Sequence, residues 1–81
     1  MFDKLQQLQK MRELQKRLEQ ERAEGEAQGT RVVLNGSFEM LELQLNPELS
    51  RERQEHAVKD AYAAAKKQVQ QKLASQLGGL M

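Results

Sequence analysis

The sequence predicts an α+β protein in which a small antiparallel sheet lies between two long helices. Three observations lead to this class. Apolar residues recur at helical spacing near the start of the chain and again over its last third. The stretch "VVLNGSFEM" between them combines β-forming residues with an Asn-Gly pair, which is typical of a hairpin. Pro47 then ends the β-region, because proline has no N–H to donate to a neighbouring strand.

The first segment predicts an amphipathic helix over about residues 3–22. Its apolar residues follow one another at spacings of three, three, three and four, and they form a single stripe: Leu5, Leu8, Met11, Leu14 and Leu18. Gln, Lys, Arg and Glu fill most of the other positions, and all four residue types favour helix.

The sheet is predicted over about residues 23–46, with two or three strands. Gly25 and Gly29 end the helical pattern, and the segment around them is either a loop or a short strand that turns at Gln28-Gly29. Asn35-Gly36 predicts a type I′ turn, because both residues tolerate the positive φ that this turn requires.

The returning strand, "SFEMLELQL", changes its apolar phase partway along. Phe38 and Met40 share one face, whereas Leu41, Leu43 and Leu45 share the other. This change between Met40 and Leu41 indicates a β-bulge, or apolar contacts on both faces of the strand.

The last segment predicts a short turn over about residues 47–50 and then a long helix over about residues 51–77. Ser50 is the expected N-cap, because its hydroxyl can accept a hydrogen bond from the first turn. The main apolar stripe is predicted at Val58, Tyr62, Ala65, Val69, Leu73 and Leu77. A narrower stripe, Ala57, Ala61 and Ala64, has the small side chains that allow another helix to approach closely.

The size of the chain favours self-association. A chain of 81 residues buries only about 60% of its unfolded surface, so a single copy has a thin core. The absence of cysteine excludes disulfides and thiolate metal sites as sources of stability. The segment "FEMLELQL" offers apolar side chains to both faces, and the predicted interface between two copies is Phe38, Met40, Leu41, Leu43 and Leu45.

Catalysis is not expected from this sequence. His56 is the only histidine, there is no cysteine, and no phosphate-binding glycine loop occurs. His56 is interpreted as a solvent-exposed helix residue, so no catalytic residue, metal, cofactor or small-molecule substrate is predicted. No stretch approaches the roughly 20 apolar residues of a membrane span, and the N-terminus lacks the apolar segment of a signal peptide. A soluble, cytoplasmic protein without a membrane partner is therefore expected.

The charges are distributed unevenly along the chain. Residues 1–24 carry six basic and five acidic side chains, residues 25–50 one and four, and residues 51–81 six and three. A polyanion would avoid the acidic middle and contact the ends. The candidate donors to its phosphates lie on the helices, away from the acidic hairpin: Lys10, Lys16, Lys66, Lys67 and Lys72. On charge alone, however, an ordinary solvated helix surface is the simpler interpretation.

The order of these parts resembles the nucleoid-associated DNA-binding proteins of the YbaB/EbfC family. The similar segments are the Gln- and Lys-rich first helix, the glycine-punctuated "AEGEAQGTRVVLNG", the strand and stop "LELQLNPEL", and the Ala-rich "AVKDAYAAAKKQVQQKLASQL". They cover nearly the whole chain. Asn46 stands where the family usually has Asp, and a helix-capping role is open to both residues.

The resemblance implies a single domain over residues 1–81 with an α–β(3)–α protomer, in which "AEGEA" is the first of three antiparallel strands. It also implies a homodimer in the nucleoid that binds double-stranded DNA between helices that project like the arms of tweezers. The sheet would then hold two protomers together and set the spacing of the arms. A coiled-coil clamp or holdase for unfolded protein is the alternative function, and an enzyme is a distant third.

Overall fold

The computed structural model describes residues 2–78 and confirms the α–β(3)–α order. Helix α1 spans Phe2–Gln20 and helix α2 spans Arg51–Gly78. Between them lie three strands: β1 (Ala23–Ala27), β2 (Thr30–Leu34) and β3 (Met40–Gln44). The strands form one antiparallel sheet in the order β1-β2-β3, so both connections are hairpins.

The tight turn of the sheet lies between β1 and β2. Gln28 and Gly29 have φ angles of 52° and 79°, which is the left-handed pair that a two-residue type I′ turn needs. This confirms the three-strand alternative. The prediction of a type I′ turn at Asn35-Gly36 is wrong, because the only positive φ in that connection is the 62° of Phe38.

The connection between β2 and β3 is a five-residue loop organised by Asn35. The Asn35 side-chain oxygen accepts hydrogen bonds from the backbone N–H groups of Ser37 and Glu39, at 2.9 and 3.0 Å. The Asn35 N–H donates to the Glu39 carbonyl at 3.0 Å. The Asn-Gly signal therefore marked a real hairpin, but the asparagine acts through its side chain rather than through a left-handed backbone.

A β-bulge at Leu41 confirms the predicted bulge, but the prediction that Leu41 shares a face with Leu43 is wrong. Val33 pairs with Glu42, and the next residue of β2, Leu34, pairs with Met40, so Leu41 has no partner. Directly opposed residues share a face of an antiparallel pair. Met40 and Leu43 therefore lie on the same side as Leu34 and Val32, and the bulge turns Leu41 to the other side.

Helix α2 packs on β1 and β2 and forms the core with them. The buried core joins Val32 and Leu34 of the sheet to a row of helix residues spaced by four: Ala57, Ala61, Ala65 and Val69. The predicted main stripe shares Ala65 and Val69 with this row, whereas its Val58, Tyr62 and Leu73 are only half-buried. The last member of that stripe, Leu77, lies outside the residues whose side chains are described. The small residues face the sheet because the contact there is too close for larger side chains.

Gly25 is where the helix and the sheet approach most closely. A Cβ atom at this position would overlap the carbonyl oxygen of Ala61 and the amide nitrogen of Ala65. Both atoms belong to the helix backbone and cannot rotate away. The distance between α2 and the sheet is therefore set by small residues, Gly25 on the sheet and Ala61 and Ala65 on the helix.

The link from β3 to α2 is fixed by hydrogen bonds of Asn46 and Ser50. Asn46 Nδ2 donates to the Gln28 carbonyl at 2.9 Å, and its Oδ1 accepts from the Glu48 N–H at 3.1 Å. Ser50 Oγ accepts from the Arg53 N–H at 3.3 Å, which confirms the predicted N-cap. Asn46 ties this link to the β1–β2 turn through a donor that an aspartate would lack.

Helix α1 projects away from the sheet and α2. In the described part of the chain it packs against no other helix or strand. Four residues of its apolar stripe are more than half exposed: Leu5, Leu8, Met11 and Leu14. The molecule is elongated as a result, with principal extents of 58 × 21 × 15 Å.

Replacing Gly25 with alanine tests the close contact. We expect Gly25→Ala to lower the free energy of unfolding by about 3 kcal/mol or more, because the added methyl overlaps helix backbone. Glu26→Ala, on the same strand but facing solvent, is the control and should change stability by less than about 0.5 kcal/mol. Urea unfolding at one fixed protein concentration measures both. A Gly25→Ala protein as stable as the wild type would contradict the contact.

Candidate nucleic-acid interface

The structure separates basic helices from an acidic sheet. Helix α1 carries five basic and three acidic side chains, and α2 carries six and three, whereas residues 21–50 carry two and six. The helices thus have net charges of +2 and +3, and the sheet with its loops has −4, which together give the chain's +1. A polyanion is attracted to the helices and repelled by the sheet.

All five predicted phosphate donors are exposed on the helices. Lys10 and Lys16 lie on α1, and Lys66 and Lys67 lie on the solvent side of α2. Six residues separate the α1 pair, which places them about 9 Å apart along the axis and on different sides of the helix. On neither helix do these lysines form one stripe, so phosphate contacts would be spread over the helix surfaces.

Lys72 differs from the other four candidates. Its ammonium donates to the carbonyl oxygen of Arg22, just beyond the end of α1. Nearby, Gln76 Nε2 donates to Glu21 Oε1 at 2.8 Å. Lys72 therefore lies where the tail of α2 passes the end of α1, and one of its three donors is used within the protein.

The open face of the sheet is not suited to phosphate. Arg31 forms ion pairs with Glu24 and Glu42, its Nη1 lying 3.2 Å from Glu42 Oε2. The hydrogen bond from Arg31, reinforced by its charge, lowers the pKa of Glu24. The same hydrogen bond raises the pKa of Arg31. The guanidinium is thus already occupied by carboxylates, and Glu26 adds a further negative charge on this face.

The predicted interface residues lie in three places. Met40, Leu43 and Leu45 form an apolar strip on the helix side of β3, with exposed fractions of 45, 43 and 49%. Leu41, 40% exposed, lies on the open face instead. Phe38 is half-buried and packs against the chain's own core.

A groove runs between the apolar strip and α2. Leu45 and Val58 line it, with the polar side chains of Arg51, Gln54 and Lys59 along its margin. Helix α2 contacts β1 and β2 but not β3, so within the described residues nothing covers the strip. The strip is an uncovered continuation of the core on an edge strand.

The described residues show no cluster for a metal and no span for a membrane. Among residues 4–76, whose side chains are described, no three His, Cys, Asp or Glu side chains come together in a way that could hold an ion. His56 is exposed on α2. Neither helix, over its described length, is apolar enough to cross a bilayer.

Comparison with known proteins identifies a DNA-binding family. The YbaB/EbfC DNA-binding family matches residues 1–81, the whole sequence. The chain belongs to this family. A comparison with curated proteins gives no match. Family membership supports a nucleoid-associated DNA-binding protein, and the family is not one of enzymes.

One contact of this family member was not predicted from its sequence. The N–H of Gly36 donates to the carbonyl of Leu18 at 2.6 Å, so the β2–β3 loop touches the last turn of α1. From the sequence, Gly36 is fully explained as part of a turn, so no contact with α1 is predicted for it. A contact between segments so far apart along the chain has no local pattern to reveal it.

Replacing His56 tests the prediction that no chemistry depends on it. We expect His56→Ala to change the free energy of unfolding by less than about 0.5 kcal/mol, because the side chain is exposed. DNA affinity should be unchanged within error in anisotropy titrations, and elemental analysis of the wild type should find no stoichiometric zinc. Bound zinc, or DNA binding that disappears with His56, would show that this interpretation is wrong.

Proposed function

We propose that the protein binds duplex DNA as a homodimer through its helices, mainly by phosphate contacts with little sequence preference. The observation that carries the proposal is the charge division between helices of +2 and +3 and a sheet region of −4. Family membership supports DNA as the polyanion. The proposed location is the nucleoid in the cytoplasm.

The kind of donor supports phosphate contacts rather than base readout. Seven of the eleven basic side chains on the helices are lysines, and these include the candidates Lys10, Lys16, Lys66, Lys67 and Lys72. A compact ammonium pairs well with phosphate, whereas bidentate recognition of a base edge usually needs arginine or an amide. The two arginines near the open sheet face are unsuited to this task, since Arg31 is paired with carboxylates and Arg22 donates to backbone carbonyls.

The apolar strip supports a second copy of the chain as the partner of β3. Leu43 lies beside the fully buried Val32 on the same face, yet it is 43% exposed. As an edge strand, β3 also offers unpaired backbone groups along its outer side. A two-fold arrangement would bring two such strips together, because the same patch meets itself in a symmetric dimer. Two copies of each helix would then face the DNA.

The clamp for unfolded protein is the second candidate, and one observation favours it. The apolar stripe of α1 is uncovered, with Leu5 59% and Met11 65% exposed. Such a stripe could bind apolar segments of a client. The two functions differ in their response to salt, because apolar binding does not release counterions.

DNA binding should weaken steeply as salt rises. The expected slope of log affinity against log salt is about −0.9 for each phosphate neutralised. Lys10→Gln or Lys66→Gln alters both subunits of a dimer, so each should flatten the slope by roughly two units on every sequence. Fluorescence anisotropy with two unrelated duplexes, from low to physiological salt, measures these slopes.

Lys59→Gln is the matched control for these lysine variants. Lys59 is also an exposed lysine on α2, but it lies beside Asp60 and close to the acidic sheet region. Its replacement should leave the slope nearly unchanged. Binding that does not respond to salt would favour the clamp, and an absence of binding at low salt would exclude the DNA function.

Leu43→Asp should break the dimer. A carboxylate placed in a dry apolar contact costs several kcal/mol, about 3 or more. Light scattering after size exclusion should find a dimer for the wild type and monomeric or aggregated chain for Leu43→Asp. Gln44→Glu adds the same charge on the same strand but points to the open face, and it should remain dimeric. A monomeric wild type at micromolar concentration would contradict the proposed dimer.

A further inference from the structure

The direction of α1 is not set by packing along its length. No other helix or strand of the described chain packs against it. The middle of its apolar stripe, from Leu8 at 54% to Leu14 at 52%, is half exposed. Whatever orients this helix must therefore act at its end.

Three polar contacts gather at that end. The Leu18 carbonyl accepts the N–H of Gly36 at 2.6 Å. Just beyond the helix, Glu21 accepts a hydrogen bond from Gln76, and the Arg22 carbonyl accepts one from Lys72. The first contact comes from the β2–β3 loop and the other two come from the tail of α2. The end of α1 is therefore held by two separate segments of the chain.

Gly36 makes its contact possible because it has no side chain. A Cβ atom there would lie 2.7 Å from the Leu18 carbonyl oxygen and 2.9 Å from its Cα. Both are backbone atoms, so α1 or the loop would have to move. The φ of Gly36 is not in the left-handed region, which means that space, rather than backbone freedom, is what requires glycine here.

The loop that carries Gly36 is itself held in place. Asn35, beside it, is 3% exposed and accepts two backbone hydrogen bonds through its side chain. Phe38 packs against the core from the same loop. A methyl group at Gly36 would therefore be expected to displace α1, which has no packing along its length, rather than the anchored loop.

We propose that Gly36 is a positioning residue that fixes the direction of the α1 arm relative to α2. This inference rests on the proposed DNA function, since the arm direction sets the spacing between Lys10 or Lys16 on α1 and the lysines of α2. Because α1 is held at one end, a small shift there becomes a larger displacement along its length. A shift of about 1 Å across one turn of about 5.4 Å rotates it by about 10° and moves its far end by about 5 Å. Lys10 lies eight residues, about 12 Å, from Leu18 and would move by about 2 Å. That displacement is enough to break a hydrogen bond from its ammonium to a phosphate, which spans about 2.8 Å.

The direct test is a distance between the two helices. The chain has no cysteine, so Gln9→Cys on α1 and Gln68→Cys on α2 give two unique sites for spin labels at exposed positions. Labelled protein mixed with an excess of unlabelled protein gives dimers with one labelled subunit, and electron–electron double resonance then reports the distance within one chain. Gln9 lies about 13 Å from Leu18, so Gly36→Ala should shift or broaden this distance by about 2 to 3 Å.

Ser37→Ala is the matched control. It adds no atom, its side chain is exposed, and it lies next to Gly36 in the same loop. Its distance distribution and DNA binding should match those of the wild type. Should Gly36→Ala fail to fold, Gln76→Ala removes the exposed hydrogen bond to Glu21 at the same joint and should also broaden the distribution.

DNA titrations complete the test. Gly36→Ala should weaken binding and flatten the salt slope by about one unit for each phosphate that is no longer neutralised, although no lysine has been changed. An unaltered helix distance would overturn the role of Gly36 at the joint. An altered distance with unaltered DNA binding would overturn its role in positioning the arm for DNA. A wild type that binds no DNA would overturn the proposed function, while the distance would still decide whether Gly36 orients α1.

Discussion

The rest of the structure depends on the close contact between Gly25 and the backbone of α2 at Ala61 and Ala65. Because this contact lies on β1, it centres the helix over one side of the sheet. Adjacent strands are about 4.8 Å apart, so β3 lies about 10 Å from β1. A helix with a radius of about 5 to 6 Å covers β1 and β2 but not β3. The uncovered apolar strip on β3 is thus a consequence of where the helix is seated.

The same contact determines where the last turns of α2 lie. The helix runs back across the sheet, and its tail passes the start of β1, where Gln76 and Lys72 reach Glu21 and Arg22. The end of α1 is consequently held by the tail of α2 on one side and by Gly36 on the other. The position of α2 on the sheet therefore leaves β3 uncovered for a second chain. It also places the contacts that hold the end of α1. The acidic charge stays on the sheet between them, and the basic charge lies on the two helices.

The elements could be predicted from local patterns, whereas their contacts could not. Helical periodicity, the Asn46-Pro47 stop and the Ser50 cap are properties of neighbouring residues, and the structure confirms each of them. The type I′ turn predicted at Asn35-Gly36 is wrong because Asn-Gly occurs both in such turns and in longer loops. The contacts of Gly36 with Leu18 and of Phe38 with the core lie outside the local pattern. The sequence pattern places Ala57 and Ala61 in a minor stripe, because their importance depends on Gly25, which lies 36 residues before Ala61. For the candidate site, the charge of each helix could be predicted from its residues. The contacts that orient the two helices could not be predicted.

The central claim is that the helices contact DNA and the open face of the sheet does not. A titration of isotope-labelled protein with a short duplex, followed by amide chemical shifts in nuclear magnetic resonance, tests it residue by residue. We expect shifts along the exposed sides of α1 and α2, around Lys10, Lys16 and Lys66, with Glu24 and Arg31 on the open face unchanged. Shifts concentrated on the open face of β1 and β2, with the helices unaffected, would contradict the claim.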